Sequence, residues 1–174
     1  MSRHFRRHGD GVRMQLDQVE VDLLRSLQQG LRDVLEGGDL EDPIVRRLFP
    51  SAVTGDEEAD HELRDMIHDD LRLQRLSGLD ALMGLIERGT RRGRQVRVDL
   101  DEEEPLLVLG VLNDLRLAIG AQVGIEELDR EQLDPDDPAT YRVAVMDHLA
   151  WLQEQLLHVL DPDVTRVHEE DEEP

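Results

Sequence analysis

PLLVLGVLNDLRLAIGAQVG, residues 105–124, is the stretch on which the fold turns. Asp101 with Glu104 three residues on, followed by Pro105, is a helix start, and Gly124 is a stop. On a wheel at about 100° per residue, Leu107, Val108, Val111, Leu112, Leu115 and Ile119 fill one broad arc. Leu106 and Leu117 carry apolar character to the far side, while Gly110 and Gly120 leave room for another backbone. A helix apolar nearly all round belongs at the centre of a fold or against a second chain.

Asn113, Asp114 and Arg116 interrupt this run. Asn113 and Arg116 are three apart and can touch, whereas Asp114 and Arg116 are two apart and point different ways. A charge left unpaired in such a helix costs several kcal/mol, so each is expected to pair with another element, Arg72, Arg75 or Glu154 being the candidates. The favoured reading is a structural polar network that fixes helix register, within one chain or across a dimer. The other is a ligand or catalytic site, although no second carboxylate or histidine stands at a telling spacing.

Outward from this helix, residues 3–16 read as two short strands around His8-Gly9-Asp10-Gly11, and Asp-Gly is a hairpin signal. A helix with Leu24, Leu27, Leu31 and Leu35 in phase follows and ends at Gly37-Gly38. Asp42-Pro43 opens a short helix that Pro50 stops. The acidic run from Asp56 starts another, whose phase slips after Leu73, and Ser77 with Asp80 reads as the cap of a separate helix. RQVRVDL (94–100) alternates as a strand, and a last helix runs from Thr140 to Asp161-Pro162. The expected fold is mainly α: one domain over 1–162 around the central apolar helix, packed by the helices at 140–160 and 17–36. A small two- or three-stranded sheet comes from the N-terminal hairpin and the 94–100 strand, and 163–174 is a flexible acidic tail. VRMQLDQVE (12–20) and VRVDLDEEE (96–104) align without a gap, and both lead into helices that reach Leu-Arg at the same offset, Leu31-Arg32 and Leu115-Arg116. Duplication of a strand–helix unit and chance recurrence of capping boxes both fit.

A net charge of −21 disfavours nucleic acid as a default partner, because phosphates repel an acidic surface. There is no cysteine, which excludes disulfides, thiol nucleophiles and thiolate metal sites. No apolar run approaches the ~20 residues of a membrane span, so a cytoplasmic location is expected. All twenty basic residues are arginine, and nine of them fall in 1–13 and 88–97 against one acid, leaving −29 on the rest of the chain. If the hairpin and the later strand share a sheet, Arg3, Arg6, Arg7, Arg91, Arg92, Arg94 and Arg97 make one basic edge. Such an edge could take phosphate or an acidic partner, or be neutralised by the acidic tail of its own or a neighbouring chain. His61, Asp65 and His68 share a helical face, but without an H-E-x-x-H pattern no metal is expected.

RRLFPSA (46–52), HELR (61–64), NDLRLAIG (113–120) and LAWLQEQLLHVL (149–160), in this order, resemble an actinobacterial family. It is catalogued as domain of unknown function family twenty-seventeen, includes the actinomycete oxidative-stress regulator, and is often encoded beside ClpS. The resemblance covers about residues 12–160 and implies a helical cytoplasmic protein, a role in transcriptional regulation and no established enzyme activity. It also implies that Asn113, Asp114, Leu115, Arg116, Trp151 and Gln153 are recurrent positions, as fold determinants or as a site. The regulator's redox switching is tied to cysteines, which this chain lacks, so thiol sensing does not carry over. The expected function is a non-enzymatic regulator or adaptor acting through protein partners in transcription, stress response or proteolysis, without cofactor, as a homodimer. The alternatives are direct nucleic-acid or phosphate binding through the arginine edge, and a small-molecule or enzyme site around Asn113, Asp114 and Arg116.

Overall fold

Two β-hairpins form the sheet. β1 (Phe5–His8) and β2 (Gly11–Asp17) are antiparallel, with His8 paired to Gly11 across a two-residue turn. Gly9 occupies the first turn position at φ 59°, as a type II′ hairpin requires, so the turn depends on Gly9 rather than on the Asp10-Gly11 pair. Gly11 has a different role: a Cβ there would lie 2.2 Å from the Leu100 carbonyl oxygen. β3 (Thr90–Arg92) and β4 (Gln95–Leu100) repeat the device, with Gly93 at φ 61°. β2 pairs with β4, which gives a four-stranded sheet in the order β1-β2-β4-β3, one strand more than expected. β3 escaped the sequence reading because its three residues are all exposed and show no alternation. The computed structural model describes residues 4–50, 57–129 and 133–161, and within 57–68 the helical backbone alone.

The sheet explains the sequence echo. β2 leads directly into α1 (Gln18–Gly37), and β4 leads into α4 (Glu104–Val123). Gly9 matches Gly93, Val12 matches Val96 and Leu16 matches Leu100 at a constant spacing of 84 residues. The register Val12↔Leu100, Met14↔Val98, Leu16↔Val96 makes the central strand pair symmetric about Met14 and Val98. The chain therefore contains two hairpin–helix units, residues 5–37 and 90–123, whose central strands pair about a local pseudo-twofold axis, while α1 and α4 pack differently on the rest of the fold.

Helices cover one face of the sheet, and Phe5, Met14, Leu16, Val96 and Val98 point into the core they share. α1 begins with a complete capping box: the Asp17 carboxylate accepts from the Glu20 N–H, and Glu20 from that of Asp17. At the start of α4 only the reverse half forms, Asp101 N–H to the Glu104 carboxylate at 3.0 Å. α2 (Pro43–Leu48) has Pro43 in its first turn and Asp42 as its cap. α3 (Glu57–Arg88) is one continuous helix, which corrects the expected break. Ser77 is exposed within it and Asp80 pairs with Arg32 of α1 instead of capping. The phase slip is tolerated because Leu71 and Leu73 are exposed, and Leu79 is the first fully buried residue of α3 among those with described side chains. α5 (Pro138–Leu160) completes the fold, with Asp137 as its cap.

α4 is the central helix. It packs most extensively on α5, then on α2 and α3, and less on α1 than the sequence suggested. Val108, Leu112, Leu115 and Ile119 are buried in its inner face. By length and composition α4 is a candidate membrane span, with a mean hydropathy of 1.5, which the polar trio had masked in the sequence. Packing against the other helices buries 39 % of this apolar window, which accounts for the inner face and leaves the apolar residues of the outer face unexplained.

Candidate functional site

The polar trio divides among three directions. Asp114 pairs with Arg75 of α3, whose guanidinium also donates to the Leu48 carbonyl at 3.0 Å and lies 5.2 Å from the Phe49 ring centroid. One ion pair thus locks α4, α3 and the end of α2. Arg116 donates to Gln153 Oε1 at 2.6 Å, and the buried Gln153 passes its own N–H to the Leu109 carbonyl at 3.2 Å, joining α4 to α5. Arg75 was among the expected partners. Arg72 turns instead to the Leu35 carbonyl and Asp69, and Gln153 takes the place considered for Glu154. Asn113 is exposed, and its side chain makes no hydrogen bond among the described residues, to Arg116 or to any other.

Asn113 instead lies at the meeting point of three open grooves, of about 900, 690 and 520 Å³, on the outer side of α4. With Leu106 and Gly110 it forms an exposed helical stripe, which Leu117, partly buried against the core, continues. Leu106 is 63 % exposed, Leu157 of α5 flanks the stripe, and a Cβ on Gly110 would meet nothing. The grooves are shallow, and the charged heads of Asp114 and Arg116 are already engaged in helix contacts.

A second polar cluster was not foreseen. Glu20, buried at the start of α1, accepts from His4 Nε2 at 2.8 Å and from His148 Nε2 at 3.1 Å on the same oxygen. Trp151 packs edge-on to His4 (4.8 Å between centroids) and stacks on His148 (5.5 Å). Trp151 therefore belongs here, on the other side of α5 from Gln153. Burial works against ionisation of Glu20, but the hydrogen bonds from His4 and the Asp17 N–H, with the charges of His4 and His148, outweigh it and hold its carboxyl below the usual value. Only the Asp17-x-x-Glu20 spacing was visible in sequence. The histidines lie 16 residues before and 128 after Glu20.

The predicted basic edge is not one edge. β1 and β3 lie on opposite margins of the sheet. Arg7 and Arg91 point to the helix side: Arg7 donates to the Val159 and Leu160 carbonyls ending α5, and Arg91 to Gln18. Arg6 and Arg13, then Arg97, then Arg92 fall on cross-strand rows of the opposite, uncovered face, and Arg94 sits in the second hairpin turn. Alternation along each strand, not proximity in sequence, sorts them. Arg3, and the side chains of His61, Asp65 and His68, lie outside the described residues. Among the described residues no three metal-binding side chains come together.

The architecture of the described residues is thus mainly α: five helices and a four-stranded antiparallel sheet, with an apolar helix at the centre. A family model described as a domain of unknown function (DUF2017) matches residues 2–160, and the chain belongs to that family. The match extends to the first hairpin, beyond the resemblance drawn from the motifs. No curated protein and no solved structure matches the chain.

Proposed function

We propose that the protein is a non-enzymatic adaptor or regulator that holds a helix of a protein partner on the outer face of α4. One observation carries the reading. The two hairpin–helix units place equivalent residues on the outer faces of α1 and α4. On α1 they are Asp22, Ser26, Gln29 and Asp33, all exposed, as solvent demands. On α4 they are Leu106, Gly110, Asn113 and Leu117. The same position in the same fold unit is polar where it meets water and apolar here, which marks this stripe as a surface meant to be covered.

The occupant that fits is an amphipathic helix. Gly110, with Ala150 across the groove, permits close approach of a second helix, and Leu106, Leu117 and Leu157 supply the apolar anchors. Asn113 offers one hydrogen-bonding group at the centre. The grooves are lined by charges of both signs, Arg46 and Arg47 beside Glu126 and Glu127, so the apolar anchors rather than net charge select the partner. The family resemblance directs the search to transcription and proteolysis machinery.

The test is a photo-crosslinking amino acid at Leu106, with the same probe at Asp22 as control, in the native host. A distinct protein crosslinked from position 106 and not from 22, and lost when Leu117 becomes Asp, supports the reading. Crosslinks between copies of the chain alone would reassign the stripe to a homodimer interface. Identical products from both positions would remove it as a specific surface.

A further inference from the structure

The outer face of the sheet is positive on a protein of net charge −21. Cross-strand pairing sets Arg6 beside Arg13 and Asp99, Arg97 between Gln15 and Thr90, and Arg92 beside Gln95. Arg13 is satisfied by a bidentate pair with Asp99 at 2.5 and 2.9 Å, and Arg97 by Gln15 at 3.0 Å. Arg6, Arg92 and Arg94 are exposed and make no side-chain hydrogen bond or close ion pair among the described residues, Arg6 having only a longer-range attraction to Asp99. They surround the paired arginines from both margins, and no described element covers them.

The chain carries a matching counter-charge in the right place. α5 ends against β1, where Arg7 grips the carbonyls of Val159 and Leu160 at 3.1 and 3.2 Å. The backbone leaves α5 at Asp161, at this margin of the sheet. Five consecutive acids, Glu169 to Glu173, follow eight residues later. An extended segment of eight residues spans roughly 27 Å at ~3.4 Å each, and a four-stranded sheet is only about 14 Å across at ~4.8 Å per strand. The acids can therefore reach the whole face. Guanidinium groups pair bidentately with carboxylates, and an array of both lowers the repulsion within each.

We propose that the outer sheet face is a binding surface for carboxylate-rich peptide and that the chain's own residues 169–173 are its occupant. The segment masks the unpaired arginines and keeps polyanions such as nucleic acid off them. This surface is distinct from the α4 stripe, and its fate does not depend on that stripe.

The lack of cysteine permits a clean test on the full chain. A nitroxide on Pro174→Cys is read by the loss of amide signals in the sheet. At low salt the expected result is loss of most of the signal for Arg6, Arg13, Arg92 and Arg97, with residues on α4 unaffected. The signals return near 1 M salt, where the Debye length falls from about 10 to about 3 Å. They also return at low salt in the R6Q/R92Q/R94Q variant, whose circular dichroism checks that it is folded. Mixing labelled chains with isotope-enriched unlabelled ones separates the sources: broadening in the mixture means a neighbour's tail and overturns the intramolecular form. Absence of broadening, or broadening spread over all surfaces, overturns the proposal altogether. As a second arm, replacing the five acids by amides is expected to raise heparin affinity at least tenfold, and an unchanged affinity contradicts masking.

Discussion

The two hairpin–helix units share a fold, a spacing and a turn glycine, yet they handle polar residues differently. In the first, Glu20 is buried under two histidines and Trp151. In the second, its counterpart Glu104 reaches half-exposed Arg88 at 2.5 Å. Arg32 of α1 pairs with Asp80 at the surface, whereas its counterpart Arg116 holds a buried glutamine. The inner face of α4 packs against α5, α2 and α3, while its outer face, like that of α1, stays exposed. The difference teaches that position in the assembly, more than the unit's own sequence pattern, decides whether a charge is structural.

The largest effect is expected at a residue with no polar counterpart, since the position equivalent to Asp114 on α1 is Gly30. D114A leaves Arg75 largely buried and unpaired between α3 and α2. We expect a loss of about 2 kcal/mol, below the range for fully buried pairs because both side chains keep some exposure. Urea denaturation measures it. A D114A loss under ~0.5 kcal/mol, no more than a surface pair gives, would show that the ion pair does not lock the three helices.

Next is the arginine comparison. R116A strands the amide oxygen of Gln153, which is 7 % exposed, at a cost of about 1.5 kcal/mol. R32A removes a pair whose carboxylate is 70 % exposed and costs about 0.5 kcal/mol. Equal losses in the two variants would refute the contrast between the units.

The two glutamates differ in pH and salt response. Both carboxyls lie below their ordinary value of 4.5: Glu20 despite the opposing effect of burial, Glu104 mainly through its hydrogen bond from Arg88. A depressed folded value means that each contributes stability above the unfolded pKa and loses it as pH falls through the folded one. E20Q also places an amide N–H against that of Asp17 or turns it toward the histidines, so we expect a loss near pH 7 of about 1 kcal/mol. It should flatten the stability profile below pH 4.5. E104Q is expected to cost under ~0.5 kcal/mol, with its share of the acid limb shrinking in high salt. Stability profiles of the two variants that superimpose in pH and salt would erase the distinction.

How far this asymmetry could be read in the sequence follows from the range of the contacts. The apolar period of residues 105–124, the Asp17–Glu20 cap and the short helix at Pro43 are local patterns, and each reappears in the structure. The need to pair a charge in an apolar helix pointed to Arg72, Arg75 or Glu154 without choosing among them, and only Arg75 proved to be a partner of the trio. The His4–Glu20–His148 cluster did not follow, because its members join only when α5 returns beside β1. The arginines were counted correctly but placed wrongly. A linear cluster shows neither strand order nor which face of the sheet each residue takes. β3 was invisible because three exposed residues carry no periodicity, although Gly93 repeated the Gly9 signal at the same spacing as the echo.

The smallest effect on stability is expected at the outer stripe, and there a small effect is informative. L106D/L117D gives α4 the residues α1 carries at the same positions, Asp22 and Asp33. Leu106 is 63 % exposed, so its loss should change folding by no more than about 0.5 kcal/mol. Leu117 is partly covered and adds a little more. If the stripe exists only to pack within the chain, the exchange should unfold the protein or do nothing else measurable. If it exists to hold a partner helix, the chain stays folded and the crosslink from a probe placed at Asn113 of α4 disappears. The reciprocal exchange, D22L/D33L, should leave the fold intact and expose a second apolar stripe. Self-association of that variant, read by sedimentation, would show that the α1 residues are what keeps the first unit free in solution.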